Sequence, residues 1–178
     1  MDPDPAPSLL LTFLFIALAL VLILLNAFFV AAEFAIVKVR RTRLEELSGK
    51  GVKSAKLAIF LVDRLDEYLS ATQLGITLVS LALGWIGEES FYSLITIIWP
   101  HGGMSDQVYH LIAGGISFFI ITMLHVVLGE LVPKSMAIQR AETIVLNIAL
   151  PLQFFYKVSS PLIYSFTSIA NWILRLIG

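Results

Sequence analysis

Apolar residues arrive along this chain in long blocks rather than at the period of an amphipathic soluble element. Leu9–Ala32 is a run of 24 residues whose most polar members are Thr12 and Asn26. That exceeds the ~20 residues a helix needs to cross ~30 Å of hydrocarbon. The pattern predicts three transmembrane helices, over about 9–37, 65–86 and 108–132. Between the second and third, Phe91–Trp99 is apolar but only nine residues long and is closed by Pro100. It reads as a cap or re-entrant piece, too short to span. After Pro133 the apolar content is interrupted by Arg140, Glu142, Pro151, Lys157, Pro161 and Arg175. Over 135–178 this predicts short helices lying along the membrane interface. A signal peptide is the rival for the first block, but the leader Met1-Asp2-Pro3-Asp4-Pro5 is acidic and the run is too long for an h-region.

Composition agrees. Of 178 residues, 58% are apolar and 14% charged, against ~45–50% apolar in soluble domains. A soluble fold of this size still exposes roughly a third of its surface and could not hide so much. Disorder, a coiled coil and a nucleic-acid binder are excluded by the same numbers. With no cysteine, a disulfide framework and a thiolate metal site fall away. The fold class is therefore all-α integral membrane, a single domain over 1–178, with the lipid bilayer as its first partner.

The cations orient it. All twelve Lys and Arg fall in Lys38–Arg64 or in Lys134–Arg175. The positive-inside rule then places the N-terminus outside, the 38–64 loop in the cytosol, the 87–107 loop outside and the C-terminus inside. Arg40–Leu47 reads as a short cytosolic helix, either meeting lipid headgroups or simply solvated.

Ionisable groups inside a span cost roughly 2.5–3.5 kcal/mol and usually face a cavity or partner. Glu33 and Glu130 qualify. Glu130 lies in Gly129-Glu130-Leu131-Val132-Pro133-Lys134. Pro133 has no N–H, so the Gly129 carbonyl four residues back loses its helical partner. A freed carbonyl thus sits beside a carboxylate at membrane depth, as in transporters that coordinate cations at broken helices. The alternative is that Pro133 merely ends the span and Glu130 pairs with Lys134 at i+4. On the second span Ser70, Gln73, Thr77, Ser80 and Gly84 form one polar or small stripe, with Thr72 beside it. Such stripes serve helix packing or line a cavity, and the length and polarity of Gln73 favour a cavity. Asn26 and Glu33, seven apart, share a face of the first span. His125, five residues before Glu130, falls on a different face of an α-helix and reads as an interhelical hydrogen-bonding group. At 1.5 Å per residue, Asn26 lies ~18 Å from Lys38, Gln73 ~13 Å from Arg64 and Glu130 ~6 Å from Lys134. All three fall in the cytosolic half, with Thr77 and Ser80 higher.

Leu25-Asn26-Ala27-Phe28-Phe29-Val30-Ala31-Ala32-Glu33-Phe34-Ala35, Leu69-Ser70-Ala71-Thr72-Gln73-Leu74-Gly75-Ile76-Thr77-Leu78 and Gly129–Lys134 together resemble the membrane domain of the CorB/CorC family, related to the eukaryotic cyclin M proteins. The resemblance covers nearly the whole chain. It implies a dimeric Mg²⁺ transporter of the inner (plasma) membrane, linked to Mg²⁺ export and cobalt resistance. It also implies a cation site that includes Asn26 and Glu130. The family continues into a CBS module that binds ATP and a C-terminal domain, which would follow Gly178, so nucleotide binding is expected outside these residues.

The donors suit a hard cation. Mg²⁺ takes six oxygens at about 2.0–2.1 Å and sheds water reluctantly. Glu130, the Gly129 carbonyl, the Asn26 and Gln73 amides and the Ser70 or Thr72 hydroxyls supply oxygen only, which argues against zinc or copper. The preference for Mg²⁺ comes from the resemblance alone. Export of a divalent ion against a negative interior opposes about twice ~2.3 kcal/mol per 100 mV. Na⁺ exchange is the expected coupling, with Glu33 as a second carboxylate or a gate. The rival class is a membrane-anchored sensor or scaffold without transport. No nucleophile–base pair is recognisable, and an enzyme is not expected.

Overall fold

The computed structural model describes residues 9–99 and 105–177, apart from the side chains of Glu88 and Ile177. The acidic leader, Pro100 and residues 101–104 of the expected outer loop lie outside the described residues. The described chain is helical throughout. Its elements are α1 (Leu9–Lys38), α2 (Arg41–Gly49), α3 (Lys53–Asp63), α4 (Leu65–Ile98), α5 (Asp106–Leu124), a π-helical segment (His125–Leu131), α6 (Val132–Gln139) and α7 (Ala141–Ile177). Three helical stretches are long and apolar enough to cross a membrane: Leu9–Lys38, Leu65–Ile98 and Asp106–Gln139. These are the three expected spans, and the all-α membrane class holds.

Two expectations change. Phe91–Trp99 is no separate cap, because α4 continues unbroken to Ile98. Between Gly84 and Ile98 every residue keeps its N–H, so nothing stops the ladder before Pro100. Nor does the chain after Pro133 break into several short pieces. It forms α6 and one 37-residue helix, α7, with Pro151 and Pro161 inside it. Pro161 orphans the carbonyl of Lys157, and the neighbouring Ser160 hydroxyl donates to that oxygen at 3.0 Å. A local side chain thus satisfies the group a proline would leave bare.

The chain divides into two compact units. The first joins the residues up to Ala27 with Leu78–Val132. Its core is Ala19, Ile23, Leu83, Phe91 and Ile121. Here α4 runs close to α5, since a Cβ on Gly87 would come within 2.7 Å of Ile121. Tyr109 is buried and donates its hydroxyl to the Trp99 carbonyl at 2.7 Å. Large apolar side chains point outward all along this unit, with Leu10 at 71% and Leu111 at 78% exposure. Apolar surface on that scale is what lipid covers and water does not.

The second unit comprises Phe28–Thr77 and Pro133–Gly178. Its core is rich in alanine: Ala32, Ala35, Ala58, Ala137 and Ala149 pack with Ile36, Leu44, Leu61 and Leu152. Gly75 admits the Phe29 ring, whose atoms a Cβ would meet at 2.6 Å. Phe29 in turn packs on Phe155, with centroids 4.7 Å apart. Gly51 turns the chain from α2 into α3 at φ +87°, a left-handed conformation that glycine adopts without Cβ strain. Tyr156 of α7 stacks near Tyr68 and donates to Glu67 at 2.5 Å. That carboxylate holds the Tyr156 phenol well above the usual tyrosine range.

Candidate cation site

The first unit contains a polar chain deep in apolar surroundings. Asn26 of α1 is fully buried, and its Nδ2 donates to the Gly129 carbonyl at 3.1 Å. The Asn26 Oδ1 lies 3.4 Å from the Ser80 hydroxyl. Ser80 also lies 3.5 Å from His125 Nε2, and that nitrogen is 3.8 Å from Glu130 Oε1. The Glu130 side chain is 46% exposed against 20% for His125. One end of the chain is therefore sealed and the other is open.

Winding explains why these groups meet. From His125 to Leu131 the helix is π-wound, and the Val132 N–H bonds five residues back, to Val127. π-helix is under 1% of ordinary structure, and its bulges gather at functional sites. Pro133 withdraws the donor that Gly129 would use at α spacing and that Leu128 would use at the wider spacing. The Gly129 carbonyl turns instead to a side chain, that of Asn26. Gly129 itself is required by close approach. A Cβ there would lie 2.9 Å from His125 Cδ2 and 3.3 Å from Asn26 Nδ2.

His125 meets Ser80 of another helix, as expected of an interhelical hydrogen-bonding group, but the face expected for it is corrected. Five residues separate faces in an α-helix, but five-residue winding returns His125 to the side of Glu130. Ser80, expected higher on the way out, joins Asn26 and His125. A cavity of about 110 Å³ opens beside it, lined by Ser80, Gly84, Thr122 and His125 among others. That volume accommodates several waters.

Asn26, Gly129 and Glu130 are thus gathered in the first unit, while Ser70, Thr72 and Gln73 belong to the second. Ser70 donates to the Asp66 carbonyl at 2.9 Å. Thr72, fully buried, donates to the Leu69 carbonyl at 2.9 Å. Gln73 is exposed and, with Ser70 and Thr77, lines a groove of about 330 Å³ against Ile163 and Phe166 of α7. Glu33 also lies in the second unit. Lys134 sits 4.6 Å over the Phe34 ring. Among the described residues no three His, Cys, Asp or Glu side chains gather into a metal cluster. A cation here would draw mainly on neutral oxygens.

Three apolar helices and a buried amide–carbonyl pair at a proline-terminated π segment define a polytopic α-helical membrane protein. Residues 17–178 match the family model of the cyclin M transmembrane N-terminal domain, and the chain belongs to that family. The similarity to CorB/CorC proteins expected from the motifs holds. Relatives in Bacillus subtilis include the UPF0053 proteins YhdT, 48% identical over 154 residues, and YrkA, 45% identical over 155. The alignments cover 86% and 87% of this chain and 33% and 36% of those proteins. The chain spans about a third of the length of these relatives.

Proposed function

We propose that this chain is the membrane domain of a divalent-cation transporter that carries Mg²⁺ out of the cell, in exchange for Na⁺, as a homodimer in the plasma membrane. Family membership supports a divalent-cation role in general. The observation that carries the site is the Asn26–Gly129 pair at 3.1 Å within the π-wound end of an apolar helix, beside the half-open Glu130 carboxylate.

The ion approaches from the Glu130 side, where the carboxylate offsets part of its charge. It displaces the Asn26 amide from the Gly129 carbonyl, and Asn26 then turns its Oδ1 to the metal. Three protein oxygens result, and the remaining positions stay with water, which Mg²⁺ gives up reluctantly. The 110 Å³ cavity beside Ser80 gives those waters room. His125, 3.5 Å from Ser80 and 3.8 Å from Glu130, borders the entry to the site. Within the second unit, Ser70, Thr72 and Gln73 offer oxygens to a cation separately, with Glu33 as a second carboxylate or gate there. The basic 38–64 segment faces the cytosol, as the positive-inside rule directs.

Glu130→Gln keeps shape and hydrogen bonding but removes the charge. Expected are loss of Mg²⁺ flux in proteoliposomes and of Mg²⁺-dependent thermal stabilisation, with the melting temperature in metal-free buffer little changed. Intact flux and stabilisation would remove Glu130 as a ligand. Wild-type protein that carries no divalent ion at all would leave the sensor or scaffold reading, in which Asn26 and Gly129 only pack helices.

A further inference from the structure

The second unit holds a cavity of about 640 Å³ at the junction of α1, α2, α6 and α7, within the size range of small-ligand sites. Its wall carries four cations, Lys38, Arg40, Arg43 and Arg140, against two carboxylates, Glu46 and Glu142. The carboxylates are already engaged. Arg43 pairs with Glu46 and, at 3.1 Å, with Glu142, and Lys50 also holds Glu46. Lys38, Arg40 and Arg140 have no ion-pair or side-chain hydrogen-bond partner among the described residues. Arg41, one residue from Arg40, faces elsewhere and is spent on Asp63 and Glu45.

Like charges held around one cavity repel unless an anion sits among them. Depth indicates which anion. Lys38 is the last residue of the apolar helix α1, and Arg140 follows α6, the end of the third apolar stretch. The cavity therefore lies where the chain leaves the hydrocarbon, at the level of lipid phosphates. Basic pockets at that level bind anionic headgroups, and a guanidinium matches two phosphate oxygens at once. We infer that the cavity between α1, α2 and α7 binds the phosphate of an anionic phospholipid headgroup through Lys38, Arg40 and Arg140. The inference does not rest on the transport reading.

The test reconstitutes the protein in phosphatidylcholine nanodiscs with rising fractions of phosphatidylglycerol, and reads thermal stability together with lipid retained in native mass spectrometry. Phosphatidylglycerol should protect and be retained where phosphatidylcholine is not. At about fivefold per cation, the Arg40→Gln/Arg140→Gln double variant should bind phosphatidylglycerol about 25-fold more weakly. Arg41→Gln should bind as wild type does. Equal protection by both lipids, or a double variant that binds normally, overturns the inference. So does full protection by inorganic phosphate in detergent, which would assign the cavity to a soluble anion. If the double variant fails to fold, the wild-type salt response decides. Protection must fade as ionic strength rises, and salt-independent protection overturns the inference.

Discussion

Asn26 carries the proposed site because of what its amide can do in two states. With no exposure, its donor and acceptor must both be met inside the protein, or each costs free energy. The described contacts meet them with the Gly129 carbonyl and the Ser80 hydroxyl. In the proposed site the Gly129 carbonyl, which accepts from the Asn26 amide, becomes a ligand once an ion replaces that N–H donor, while Ser80 donates to the Asn26 Oδ1. Asn26→Leu keeps the branched four-heavy-atom shape, though with bulkier methyl groups, and removes both bonds. Interhelical hydrogen bonds in membranes average well below 2 kcal/mol, but the stranded Gly129 carbonyl adds its own desolvation penalty. The expected loss is about 1–2 kcal/mol in detergent unfolding, together with disappearance of Mg²⁺-dependent stabilisation. A variant as stable as wild type would mean that the carbonyl finds another donor, and the proposed exchange of partners would lose its basis.

At the scale of the element, the third helix is where a straight reading of the sequence gains and then loses accuracy. Its existence was legible from an apolar run alone, as were the other two spans. That the Gly129 carbonyl needs a partner other than the Pro133 nitrogen was legible in the sequence, because a missing N–H is a fact of covalent structure. The winding was not, since no side-chain pattern marks a π segment, and α-helical arithmetic sent His125 to the wrong face. Likewise, Pro161 was read as a break because the Ser160 hydroxyl that repairs the ladder is an unremarkable residue in sequence. Pro133→Ala tests the cause of the wide winding. Restoring the N–H gives Gly129 a backbone donor, so the segment can relax towards α-helix and Asn26 loses its claim on the carbonyl. Stability in metal-free detergent should be unchanged or higher by up to about 1 kcal/mol, since a helix-breaking residue is gone. The Mg²⁺ concentration for half-maximal thermal protection should rise several-fold. A variant that gains no stability and responds to Mg²⁺ as before would show that the π segment is held by something other than Pro133.

Across the whole molecule, charge is partitioned: every Lys and Arg lies at or beyond the ends of the apolar blocks, and the described ion pairs between acids and Lys or Arg all lie in the second unit. That unit should therefore be the one that senses acid. Hydrogen bonding from Arg41 holds the Asp63 carboxyl below its ordinary 3.8. Hydrogen bonds from Lys50 and Arg43 hold Glu46 below 4.5. A carboxylate with a lowered folded pKa contributes stability that is complete above its unfolded value and is lost as pH falls through the folded one. The contribution is thus intact at neutral pH and disappears as pH drops from about 4.5 to below 3.8. Both groups are exposed, so salt should weaken the effect. Hydrogen exchange at α2 and α3 should accelerate through this window, ahead of the buried α1 and α4 backbone. In Asp63→Asn/Glu46→Gln the pH dependence of that exchange should flatten while neutral-pH exchange rises only slightly. An unchanged acid profile in the double variant would place the acid response on other groups, and the α2–α3 ion pairs would then contribute nothing measurable to the stability of the juxtamembrane helices.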